Sequence, residues 1–127
     1  MTQEHKDLLL KDLCARLPYG VKVEIYKDEP PYKLKGYDGK DFLSDSGWDY
    51  LIEQCKPYLF PLSSMTEEQK EEFNTKSFEL QLKVIDDEIM YEKATEFQVD
   101  FYNKHHLDWR GLIPMGLAID ATDLNIY

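Results

Sequence analysis

The sequence predicts an α+β fold, and three observations carry that reading. An amphipathic helix opens the chain, short alternating segments joined by tight-turn signals follow, and a capped helix introduces a second half of mixed character. The predicted architecture is an N-terminal helix packed on a small antiparallel SH3-like sheet, then a capped helix and a short α/β C-terminal lobe. The lobes divide as residues 1–65 and 66–127 and are expected to form one compact unit.

Leu9, Leu10, Leu13, Cys14 and Leu17 recur at helical spacing over residues 3–17, with Glu4, Lys6, Asp7, Lys11, Asp12 and Arg16 assigned to water. Thr2 is the expected cap, and Pro18 with Gly20 the stop. Val21 to Tyr26 alternates strictly and predicts a strand. After a break at Asp28-Glu29-Pro30-Pro31, extended structure resumes from Tyr32 to Tyr37. Asp38-Gly39 signals a two-residue hairpin turn into Lys40–Leu43, and Asp45-Ser46-Gly47 a second turn into a strand from Trp48 to Glu53.

Cys55 to Gln69 is the hinge between the halves. Pro57 and Pro61 each remove a ladder donor, while Tyr58, Leu59 and Phe60 are too apolar for an exposed loop, so the segment reads as an edge strand on the core. Ser64-Met65-Thr66-Glu67 fits a capping box for a surface helix running to about Asn74, with Met65, Gln69 and Phe73 turned inward. Phe78–Val84 alternates and predicts a strand, with a continued helix as the alternative. A turn at Asp86-Asp87-Glu88 and a short strand at Ile89-Met90-Tyr91 follow. A second capping box, Thr95 to Gln98, is expected to open a third helix ending near His105, and the Gly/Pro-punctuated close ends in a strand-like segment.

At 127 residues, 43% apolar and 13% aromatic, the chain has enough apolar material for a core. Its net charge of −10, from 25 acidic and 15 basic residues, opposes binding to phosphate backbones and anionic membranes. The charge serves solubility, or docks the protein on a basic partner. Cys14 and Cys55 lie far apart without metal-ligand or disulfide-scaffold spacing, and the start of the chain lacks signal-peptide features, so the expected location is cytoplasmic.

The chemistry-bearing candidates gather late in the chain. His105-His106-Leu107-Asp108-Trp109-Arg110 offers a base, a carboxylate and a guanidinium. Read structurally, the histidines end a helix and Arg110 stacks on Trp109 or pairs with a carboxylate. No phosphate loop, zinc-binding helix, calcium loop or nucleophile elbow is present, so no catalytic residue, metal site or cofactor is assigned. The binding candidates are Tyr58, His106, Trp109 and Arg110. The aromatics Trp48, Tyr50, Tyr58 and Phe60 could line a peptide groove on an SH3-like sheet, but the core is the expected place for such residues.

Leu8–Val21, Lys56–Thr66, and Arg110–Ile113 with Leu117-Ala118 resemble recurring segments in a family of short uncharacterised proteins from Bacteroidales bacteria and their phages or prophages. That family carries no assigned activity, cofactor or catalytic residue, so the resemblance implies only a context: a cytosolic protein encoded on a phage or mobile element. The function expected is a small acidic protein-binding module, a phage accessory protein acting on a host or phage protein. Two alternatives are a small hydrolase or nuclease using His106, Asp108 and Arg110, and a nucleic-acid mimic. Membranes are not expected partners, nucleic acid is a disfavoured one, and the sequence sets no oligomeric state.

Overall fold

The computed structural model describes residues 1–84 and 88–127, and the side chains of residues 1–79 and 96–127. Helix α1 spans Gln3–Arg16, with the Thr2 hydroxyl accepting from the His5 amide at 3.1 Å. A 3-10 turn over Leu17–Tyr19 closes on Gly20, whose φ of 70° is the left-handed conformation glycine adopts most readily. The sheet strands are β1 (Lys22–Glu24), β2 (Tyr32–Tyr37), β3 (Phe42–Ser44), β4 (Asp49–Tyr50), β5 (Lys56–Leu59) and β6 (Ile119–Asp120). Helices α2 (Glu67–Val84) and α3 (Glu88–Lys104) lie between β5 and β6.

The sheet has six strands in the order β4-β3-β2-β1-β5-β6. Among the described strands the pairings are antiparallel except β5 with β6, where Tyr58 faces Ile119 and Leu59 faces Asp120; a parallel bridge also joins Phe60 to Leu107. The α+β class with an N-terminal helix and a mostly antiparallel sheet is therefore as expected. The hinge strand is not an edge, however: β5 lies between β1 and β6. Its Pro57 falls near the start of the strand, where the missing amide disrupts least.

Leu9 and Leu13 of α1 share a core with Val21, just before β1, and with Val23, Leu34, Phe42 and Leu59 of the sheet, and Leu112, Leu117 and Ala118 close the same core from the C-terminal half. The expected strand at Val21–Tyr26 is shorter than its alternation, because the chain turns at Tyr26, whose carbonyl accepts from the Glu29 amide at 3.2 Å. The loop between β2 and β3 covers residues 38–41, longer than a two-residue turn. The Asp38 carboxylate organises it by accepting from the Lys40 and Asp41 amides at 2.9 and 2.8 Å. The strand expected from Trp48 to Glu53 is confined to β4, after which a 3-10 turn takes Ile52–Gln54.

The second half departs further from expectation. The cap of α2 is not Ser64–Glu67 but Thr66–Gln69: the Thr66 hydroxyl accepts from the Gln69 amide at 3.1 Å, and the Gln69 side chain accepts from the Thr66 amide at 3.0 Å. Ser64 instead donates to the Pro61 carbonyl. Residues 78–84 are helical, continuing α2, and the strand expected there does not form. A strand would bury alternate positions, whereas Phe73 and Ser77 turn inward at helical spacing and Phe78 is 63% exposed. Residues 89–91 are likewise helical, so Thr95–Gln98 falls inside α3 rather than at its start. The turn expected at Asp86-Asp87 lies outside the described residues. Phe73 meets Phe97, Phe101 and Tyr102 of α3, which joins the two helices.

Candidate peptide-binding groove

The late cluster singled out in the sequence forms the seam between the halves. Asp12 and Arg16, both expected in water, are fully buried. Arg16 grips Asp12 through two hydrogen bonds, at 2.9 and 3.2 Å, and donates to the Leu107 carbonyl at 2.6 Å. Arg110 completes the set: its Nε lies 3.3 Å from Asp12 Oδ1, and its guanidinium lies 4.1 Å above the Trp109 ring. Trp109 in turn donates from its indole to Asn103 at 3.1 Å. Helical periodicity assigns charges outward because it sees one helix at a time. It cannot register a partner arriving from the other end of the chain.

His106 and Asp108 have equally structural partners. Asp108 is buried and accepts from the Leu112 and Ile113 amides at 2.7 and 2.9 Å, which shapes the turn after α3. His106 adopts a left-handed φ of 57° and stacks on Tyr127 with ring centroids 3.7 Å apart and planes 10° from parallel. Burial, then the charges of Arg16, His105 and Lys22, lower its pKa to about 4, so it is neutral at pH 7. Among the described residues no hydrogen bond joins His106, Asp108 and Arg110 to one another. Tyr58, the remaining candidate, is buried at 6% exposure rather than displayed at the hinge. Its backbone carbonyl accepts from the Tyr127 hydroxyl at 2.8 Å.

The concave aromatic surface lies elsewhere, on the β4 side of the sheet. Tyr26, Tyr32, Trp48, Asp49, Tyr50 and Gln54 line a groove of about 370 Å³. Of the four aromatics singled out in the sequence, Trp48 and Tyr50 border it and Tyr58 is buried; Tyr26 and Tyr32 complete its aromatic wall. Phe60 lines a different cleft with Gln69, His105 and Asp123.

Local structure places each groove wall. Tyr50, on β4, is buried and forms the floor. Tyr32 begins β2 and lies 5.8 Å from Tyr50 between ring centroids, and Tyr26, in the turn after β1, meets Tyr50 edge-on at 6.3 Å. Trp48 is carried by the β3–β4 turn, in which Gly47 has a φ of 88° and the Ser44 amide donates to the Trp48 carbonyl at 3.1 Å. That turn is tied to β2 by the Asp45 amide donating to the Lys33 carbonyl at 2.9 Å and the Lys33 amide donating to the Asp45 carboxylate at 3.2 Å. Trp48 is thus projected from a held backbone and remains 71% exposed, with Tyr26 at 52%.

Asp49 is the one charged residue bordering the groove; its carboxylate, on the strand face opposite Tyr50, lies within 4.8 Å of those of Asp38 and Asp41, beside the positive charge of Lys40. Backbone amides of Asp41 and Lys40 hold Asp38 below the usual carboxylate range, so it is ionised at neutral pH. Partial desolvation, then Tyr50, Glu29 and Tyr26, raise the Tyr32 phenol, which keeps it neutral. The signal for this site was present in the sequence as aromatics beside Asp-rich turns. Nothing local indicated that Tyr26 and Tyr32, flanking a double proline, fold back onto Tyr50. Comparison with protein-family models, with curated proteins and with solved structures finds no match to this chain.

Proposed function

We propose that the protein is a non-enzymatic, acidic protein-binding module whose aromatic groove receives an extended segment of a partner protein. The observation that carries this reading is the exposure of Trp48 and Tyr26 in one concavity whose floor, Tyr50, is buried. Aromatic rings presented this way contribute large contact area at low entropic cost, as paratopes and proline-recognition grooves do. The small antiparallel sheet is read as SH3-like in this sense: it displays rings from its turns for a peptide to cross. The net charge of −10 favours a basic partner and disfavours nucleic acid. The partner is taken to be a host or phage protein, with the module a cytoplasmic accessory of a phage or mobile element.

The committed neighbours of His106, Asp108 and Arg110 weigh against the hydrolase alternative, since each side chain is used in packing or in shaping a turn. Panning a displayed library of random peptides against the immobilised protein tests the binding reading. Enriched peptides should lose binding to Trp48→Ala and Tyr26→Ala variants. A library that yields no enrichment, or peptides that bind both variants as well as wild type, would overturn it.

A further inference from the structure

We propose that the segment received by the groove is proline-rich, with prolyl rings packed on Trp48 and Tyr26 and a peptide carbonyl accepting from the Gln54 amide. This rests on the groove being a peptide site and adds the chemistry of the segment. The groove is walled by four aromatic rings and one amide, and its single charged side chain, Asp49, turns to the other face of β4. A segment laid across those rings therefore meets no carboxylate and needs no charge of its own.

The hydrogen-bonding groups on offer are donors. Gln54 Oε1 is already taken, accepting from the Leu51 amide at 2.9 Å, which leaves the Nε2 end of the side chain for a ligand. The Trp48 indole N–H is a donor only, on a largely exposed ring. Phenol hydroxyls act either way, so the groove holds no group that must accept. An ordinary peptide would lay backbone N–H groups against the rings with nothing fixed to receive them. Proline has no N–H, and its carbonyl still accepts. The shape agrees with this. Tyr26 and Tyr50 meet at 81° with ring centroids 6.3 Å apart, which makes a corner rather than a flat stack, and a compact prolyl ring fills a corner. A polyproline II helix also arrives with its backbone already ordered, so little entropy is lost on docking.

The test follows the Trp48 indole N–H signal, assigned with a Trp48→Phe variant, in NMR titrations of the full chain. The probes are the capped peptide Ala-Pro-Pro-Pro-Pro-Ala and its counterparts with alanine or N-methylglycine in place of proline. N-methylglycine lacks the N–H, as proline does, but has no ring. The proline peptide should move the Trp48 signal and bind about three- to tenfold tighter than the alanine peptide, with N-methylglycine between them. Gln54→Glu keeps the oxygen that accepts from Leu51 and replaces the donating end by a second oxygen. It should weaken the proline peptide by about threefold or more. Undiminished binding to Gln54→Glu would overturn the Gln54 contact. Equal binding of the proline and alanine peptides would overturn the proline assignment while leaving the groove a peptide site. So would a Trp48 signal unmoved by all three peptides when the library still yields binders that need Trp48. An unmoved signal together with a failed library selection would overturn both.

Discussion

Asp12 and Arg16 form a fully buried ion pair one helical turn apart, and Arg110 reaches it from the opposite end of the chain. Removing only the acid leaves two guanidinium groups without compensation. Asp12→Ala is expected to cost about 3–5 kcal/mol of unfolding free energy, read as a lower denaturant midpoint. The double replacement Asp12→Leu with Arg16→Met should cost less than Asp12→Ala alone, because only the partly exposed Arg110 is then left without its carboxylate. A double variant as damaged as the single one would show that the seam depends on the charges themselves.

His106 makes stability depend on pH in a defined window. Its folded pKa of about 4 lies below the ordinary value of 6.5, so the unfolded chain binds the proton more readily than the folded one. The stabilisation is complete above pH 6.5 and is lost as pH falls towards 4. The loss is on the order of 3 kcal/mol. The His106→Asn variant keeps a residue that tolerates left-handed φ and should show a flatter stability profile across that window. Parallel profiles for the two proteins would contradict the assignment.

The cap of α2 separates two neighbouring possibilities. Thr66→Ala should cost about 1 kcal/mol, whereas Glu67→Gln, which alters the box expected from the sequence, should change stability by less than about 0.5 kcal/mol. Thermal melts of both variants decide it.

Cys55 is buried and pushed up to about 12, mainly by burial and secondarily by Glu53. Alkylation of Cys55 at pH 8 should be at least ~100-fold slower in the folded protein than in denaturant. Mass mapping of the labelled peptide provides the readout. Labelling at the rate of a free thiol would mean that the β5 region opens readily.

Trp48→Ala should leave unfolding free energy within about 0.5 kcal/mol of wild type, since the ring is 71% exposed. Phe42→Ala, which empties a fully buried position, should cost about 3–5 kcal/mol. Such a contrast marks Trp48 as a surface group free to serve a ligand. A large loss at Trp48 would recast it as part of the core.

The elements legible in the sequence were those whose signal is local. The leucine face and Thr2 cap of α1 and the turns at Asp38 and Asp45 depend on neighbours a few residues apart, and each is present. Phe78–Val84 was misleading because a four-apolar alternation is also compatible with a helix, and Phe73 and Ser77 settle the face. The charged seam was invisible for a different reason. Asp12, Arg16 and Arg110 each look solvated until the chain brings them together. The groove was half legible: Trp48 and Tyr50 were in view, while Tyr26 and Tyr32 join them only through sheet topology.

The parallel strand β6 has a consequence for how the protein comes into being. Leu59 waits for Asp120, and the Lys22 amide donates to the Tyr127 hydroxyl, 105 residues away, at 2.9 Å. During ribosomal synthesis the N-terminal strands therefore emerge with one flank of β5 unsatisfied, and they stay so until residues 119–127 have left the exit tunnel. Closing so long a loop late makes folding slower than the helical content alone would suggest. It also leaves a nascent chain with an open β edge, the form in which this protein is most exposed to aggregation or to capture by a chaperone.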